Sequence, residues 1–241
     1  MVAAFGWGAL AASSLVLGAL LAFARGWPSG TIGLILAFGA GALISAVSFE
    51  LAEEGIHLGS LRGVAVGLAL GALTYYFADG LIERRTATGG GDHDTPGNGD
   101  PGIGLALGAF LDGVPEQLVL GVGLAGGQSV SVALLVAIFV SNLPEGIGSA
   151  TETSQAGTPR RKITRLFLAV GAVCTLATAT GYAIANSISG ELQAVVNGFA
   201  AGALLVMLID VMIPDARSKA GRHAGLATVV GFAVGTALSN V

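Results

Sequence analysis

Charge is what this chain of 241 residues has least of: 11% of its residues are Asp, Glu, Lys or Arg, against roughly 25% in soluble domains. That shortage excludes an ordinary solvated globule. Cysteine occurs once, at Cys174, so there is no disulfide framework and no CxxC metal site. The ordinary role of such a residue is a small buried apolar side chain. Histidine occurs only three times, so a metal site here must be built chiefly from oxygen, with imidazole peripheral. No HExxH or GxSxG string is present, which argues against an intramembrane hydrolase. Nothing in the charge pattern suits nucleic acid. No basic residue precedes the first apolar run, which therefore reads as a retained helix rather than a cleavable signal peptide.

Apolar sequence fills the space. The chain is 53% hydrophobic with a mean hydropathy of +0.79. Runs long enough to span a bilayer, roughly 17 to 25 residues each, fall at 3–24, 30–54, 61–82, 102–125, 129–152, 163–187, 191–213 and 222–240. A backbone in lipid must satisfy its own hydrogen bonds, and these runs are too long and too evenly apolar for barrel strands. The expected fold is all-α, with eight transmembrane helices in a single transmembrane domain covering 1–241. A cytoplasmic loop at 84–101 is the one sizeable polar stretch.

Of the eleven Lys and Arg residues, ten lie in alternate loops: Arg25; Arg84 and Arg85; Arg160, Arg161, Lys162 and Arg165; Arg217, Lys219 and Arg222. The other loops hold only Arg62. Basic residues stay on the cytoplasmic side, so both termini are expected to be extracytoplasmic.

Two stretches put proline beside glutamate inside apolar sequence, Leu111-Asp112-Gly113-Val114-Pro115-Glu116 and Ser141-Asn142-Leu143-Pro144-Glu145-Gly146, offset by 29 residues. An ionisable group within a membrane span is costly and marks an ion or substrate path by default. Asp112 and Glu116 are four residues apart on one helix face, as are Ser141 and Glu145, while Asn142 and Glu145 are three apart. Asp112 falls about 15 Å into its helix, near the bilayer centre. Each proline frees the carbonyl four residues before it, on Leu111 and Val140. No Lys or Arg lies within either segment, so the counter-charge is expected from outside the protein. Crowded carboxylates without a cation hold protons, so the site should exchange metal for protons.

The chain also repeats itself. Phe38-Gly39-Ala40-Gly41-Ala42-Leu43 lines up with Phe199-Ala200-Ala201-Gly202-Ala203-Leu204, and each run continues to acids: Glu50, Glu53 and Glu54 in one, Asp210 and Asp215 in the other. With the paired helices between them, the order is three, two, three. That is the inverted-repeat plan of many secondary transporters, whose sites lie near the midplane on proline- or glycine-interrupted helices. Glycine, 39 residues in all, mostly serves close helix approach.

On these motifs the chain resembles the ZIP (Zrt/Irt-like) family of divalent-metal transporters. The family's fourth-helix pattern, His-Asn-x-Pro-Glu-Gly, falls on Asp112-Gly113-Val114-Pro115-Glu116-Gln117, and a similar fifth-helix pattern falls on Ser141 to Gly146. Pro115, Glu116, Asn142, Pro144, Glu145 and Gly146 match. Asp112 replaces the usual histidine, Gly113 the usual asparagine, and the sixth-helix stretch Leu176-Ala177-Thr178-Ala179-Thr180 lacks the usual acid. The resemblance implies transport of divalent cations of the zinc, iron or manganese class across the cytoplasmic membrane. It implies a site made of Asp112, Glu116, Asn142 and Glu145, and the metal is cargo, so no cofactor is expected. Loss of imidazole shifts the site toward harder cations.

Glu50, Glu53 and Asp210 are candidates for the pathway, with Glu54, His57, Asp79 and Asp215 as weaker ones or as solvated helix ends. His93 sits in the loop and reads as part of a flexible linker. Trp7, Trp27, Tyr75 and Tyr76 read as interface anchors or lipid-facing packing. The bilayer and the cation are the expected partners, with a homodimer left open. The alternatives are a proton-coupled transporter of a non-metal solute, a structural membrane protein with a vestigial site, and, least, the intramembrane hydrolase.

Overall fold

A computed structural model describes residues 1–24, 26–87, 101–125, 132–185 and 187–239, with the side chains of 82–87, 101–112 and Glu152 outside that description. Eight helices follow in order: α1 Val2–Ala24, α2 Ser29–Leu58, α3 Leu61–Ala87, α4 Pro101–Ala125, α5 Val132–Gln155, α6 Arg160–Ala185, α7 Gly190–Ala220 and α8 His223–Leu238. Over the described residues, six stretches are long and apolar enough to cross a membrane. The central part of the predicted 84–101 loop, with His93, lies outside the described residues.

Helix ends are set by local chemistry. Ser189 caps α7, its Oγ accepting from the Leu192 N–H at 3.3 Å, which satisfies one of the amides left open at a helix start. Gln193 donates Nε2 to the Ala185 carbonyl at 2.9 Å and so closes the end of α6. Pro101 stands at the first position of α4, where its missing N–H costs nothing. α2 and α7 outrun the apolar stretches 30–54 and 191–213, because charged residues at a membrane surface can continue a helix that lipid no longer requires to be apolar. Both also contain a π-helical turn, Val47–Glu53 in α2 and Leu208–Met212 in α7. The two turns start at the same distance from Phe38 and Phe199, the first residues of the repeated runs.

The helices sort into two groups. α1 packs on α5 and α6, and α4 on α6; α3 packs on α7, and α2 on both α7 and α8. Contact between the groups runs chiefly through α2 and α5. Exchanging α1–α3 for α6–α8 and α4 for α5 maps these pairings onto one another: α3 on α7 becomes α8 on α2, and α5 on α1 becomes α4 on α6. The inverted repeat is therefore present in the packing. Glycine makes it possible at mirrored points. A Cβ on Gly41 would collide with the Thr228 carbonyl, and one on Gly202 with the Leu68 carbonyl. Small residues let backbones touch where lipid supplies no hydrophobic drive.

Arg62 at the start of α3 apart, the basic residues of the described helix ends share one side of the bundle. Arg160 at the start of α6 lies over the Phe23 ring at the end of α1, 5.3 Å from its centroid, and Lys219 near the end of α7 lies against Gly33 near the start of α2. Tyr75 differs from the lipid-facing expectation: it is 4% exposed and belongs to the core, while Tyr76 faces outward. On α3, one residue's step of about 100° separates those two directions.

Candidate metal centre

The α5 motif, Ser141 to Gly146, is seated by backbone contact on two sides. A Cβ on Gly39 of α2 would lie 2.8 Å from the Ser141 Cα. A Cβ on Gly146 itself would lie 2.6 Å from the Leu15 carbonyl of α1. The small-residue run at Phe38 to Leu43 thus serves as the floor on which the α5 motif rests. Ser141 is 1% exposed and turns its hydroxyl back to the Ile138 carbonyl at 3.0 Å, so it is not free to face α4.

The α4 motif itself is held by side chains of α6, and backbone contact begins just beyond it, with Gly181 against the Leu118 carbonyl and Gly121 against the Thr178 carbonyl. Gln117 accepts a hydrogen bond at Oε1 from the Thr178 hydroxyl, 2.5 Å away and fully buried. Gly113 faces Cys174: a Cβ there would sit 2.8 Å from the Cys174 Sγ. The sulfur occupies the space that any larger residue at 113 would need. Cys174 is 1% exposed, the buried apolar role expected of it.

Between these helices the two motifs meet. Asn142 of α5 donates Nδ2 to Oε2 of Glu116 of α4 at 3.2 Å, and both side chains are buried. Glu145 follows Asn142 by three residues and is half-buried. The side chain of Asp112 lies outside the described residues. Among the described residues, no three His, Cys, Asp or Glu side chains come close enough together to hold a metal ion. Among the described side chains, the arrangement is a carboxylate held by an amide N–H. A cation arriving at Glu116 would compete with that N–H, and Asn142 would have to present Oδ1 to become a ligand itself.

The pathway candidates are more scattered. Glu50 is half-buried within the π-turn of α2. Glu53 is exposed and stands 3.8 Å from His57 Nε2, one turn on, the solvated helix end weighed above. Asp210 is exposed within the π-turn of α7, beside Ile209 at 62% exposure and Val211 at 42%. Asp215 is paired with Lys219 at 2.6 Å.

Lys219 Nζ lies 3.7 Å from where a Cβ on Gly148 would be, three residues beyond Glu145 on α5. Nothing in the sequence signals this approach, since Lys219 lies in a different part of the chain from the motifs.

Eight apolar helices joined through a buried Glu–Asn contact on two proline-bearing helices define a multi-pass membrane protein with a polar site in its interior. The sequence model of the ZIP zinc transporter family matches residues 83–240, more than half of the chain, and the chain belongs to that family. Membership in a family of transporters sets the hydrolase reading aside. An Arabidopsis thaliana protein named "Putative zinc transporter" is 28% identical over 191 residues, covering 78% of this chain and 30% of its own length. The chain thus spans 30% of the length of that curated relative.

Proposed function

We propose that the chain moves divalent cations of the zinc, iron or manganese class across the cytoplasmic membrane through a site between α4 and α5. Glu116 and Glu145 supply the carboxylates, with Asp112 and Asn142 completing the oxygen set. The observation that carries this reading is the buried Asn142–Glu116 hydrogen bond. It joins the two xPE motifs inside a bundle where an ionisable side chain is otherwise costly. The amide N–H supports the carboxylate between cargo ions, and a divalent cation displaces it by offering two charges in place of a dipole. Glu145 is half-buried three residues beyond Asn142 on α5, and the basic residues at one end of the bundle orient that end to the cytoplasm.

The test is metal-dependent thermal stabilisation of the purified protein. A ligand that binds only the folded state raises apparent stability by mass action. Glu116→Ala and Glu145→Ala are each expected to abolish the stabilisation given by zinc, whereas the remote Glu191→Gln keeps it. Unchanged stabilisation in both site variants would remove these residues from the site.

A further inference from the structure

Asn197 is the polar exception on a buried face of α7. Its neighbours on that face, Ala194 and Gly198, pack on the end of α2 and on α3 with little or no side chain. Asn197 lies between them, 3% exposed and about 10 Å in from the start of α7 at Gly190. It rests on the backbone of α2, where a Cβ on Gly55 would be 3.2 Å from the Asn197 Cβ. No described donor lies within hydrogen-bonding distance of its Oδ1.

Packing does not require an amide there. In the repeat that sets Phe38 on Phe199, Asn197 falls on Leu36 of α2, which is 4% exposed. The mirrored position is thus filled by an apolar side chain at similar burial. A buried polar atom without a partner is costly inside an apolar bundle, and it calls for a water or an ion. The chemistry of the atom decides the sign of that ion. An amide oxygen offers lone pairs, so it ligates a cation and has nothing to give an anion.

Negative charge lies next to it. Glu54 immediately precedes Gly55, and Glu50 stands one turn earlier, within the π-turn Val47–Glu53. Both are half-buried, unlike Glu53, which is exposed beside His57. Glu191, the acid in the first turn of α7, accepts from the Ser60 hydroxyl at 2.8 Å and is committed to the surface. Gly55 puts no side chain between Glu54 and the Asn197 amide.

We infer that Asn197, Glu54 and Glu50 form a second divalent-cation site, at the end of the bundle away from its basic side and apart from Glu116 and Asn142, and that it takes a hard ion of the calcium kind. Calcium collects six to eight oxygens from carboxylates, amide carbonyls and water. An all-oxygen set without imidazole suits it better than zinc. The half-buried acids leave room for water to complete the shell. With two acids and an amide the set is weaker than a cage of three carboxylates, so its affinity belongs with the ~10⁻⁴–10⁻³ M of extracellular calcium modules. The inference goes beyond the transport reading and stands without it.

The test is a calorimetric calcium titration of the purified full chain carrying Glu116→Ala, which takes the α4–α5 site out of the measurement. One calcium per chain is expected. Adding Asn197→Leu, which copies the residue at the mirrored position, should weaken binding by about tenfold or more, and Glu54→Gln should do the same. Glu191→Gln should leave it as it was. Asn197→Asp adds charge at nearly constant size and should tighten binding about threefold. No calcium bound, or unchanged affinity in Asn197→Leu or in Glu54→Gln, would overturn the inference and leave the amide oxygen with a buried water only. Calcium binding that is present in wild type and lost with Glu116→Ala would overturn it too, because the ion would then sit between α4 and α5. If Asn197→Leu does not fold, Asn197→Asp decides: affinity no higher than in the parent chain counts against the site. The transport reading is read separately, by zinc stabilisation in Glu145→Ala, and its failure would leave this result where it stands.

Discussion

The two halves of the site are built by opposite means. The α5 half, Ser141 to Gly146, keeps its helix in place through backbone contact: Gly39 against Ser141, and Gly146 against the Leu15 carbonyl. The α4 half, around Gly113 and Gln117, is held by side chains, the Cys174 sulfur and the Thr178 hydroxyl. A backbone contact cannot be retuned by changing one partner, whereas a side-chain contact can. The half that keeps the family's letters is the one locked by main chain. The half that departs from them, at Asp112 and Gly113, is the one whose neighbours could change along with it.

That contrast can be broken in a graded way. The largest effect is expected at Gly146, where an added Cβ meets a carbonyl that cannot move without its helix. Gly146→Ala should destabilise the protein by ~1–3 kcal/mol, the usual cost of overpacking. Truncating Leu15 should not recover it, because the clash is with main chain. Denaturation midpoints in detergent measure both. Gly113→Ala should cost less, and it should be largely rescued by Cys174→Ala, which removes the opposing sulfur. A Gly113→Ala variant that Cys174→Ala does not rescue would show that the α4 half is locked in the same way as the α5 half.

Selectivity sharpens the same comparison. If the α4 half is the adjustable one, Asp112→His should strengthen the preference for zinc over manganese in a two-metal uptake competition. Imidazole suits zinc, whereas an all-oxygen set discriminates less. An unchanged ratio would take Asp112 out of the ligand set. The smallest expected signal is calorimetric. Zinc binding measured in two buffers of different ionisation enthalpy should report protons released from the carboxylates as metal enters. No release between pH 5.5 and 7.5 would mean that the cluster holds no proton to exchange.

Much of the fold was legible in the sequence, because membrane helices announce themselves by length and apolarity and the repeat by its shared FxAGAL-type runs. The ends were less legible. Counting apolar residues stops at Glu54 in α2, yet that helix runs to Leu58; in α7 it stops at Ile213, yet the helix runs to Ala220. Polar residues there end the apolar signal without ending the hydrogen-bond ladder. Of the site, the motifs pointed to α4 and α5, and the structure joins Glu116 to Asn142. The supports could not be read from the sequence. Gln117 with Thr178, Gly113 with Cys174, and Lys219 with its reach to Gly148 all connect residues on different helices. Each depends on helix rotation, which the nearly uniform apolarity of these segments leaves unspecified.

The π-turns bear on that rotation. An α-helix advances about 100° per residue, so a turn that accommodates one extra residue resets the phase of everything after it. In α2 the reset falls at Val47–Glu53 and in α7 at Leu208–Met212. A helical wheel drawn from Phe38 or Phe199 is therefore out of phase for the charged ends, and Asp215 and Lys219 owe their heading to one uncounted residue. Deleting a single residue from the π-turn of α7 would swing both charges by about 100° without altering either, which makes that turn an angular setting for the basic end of α7.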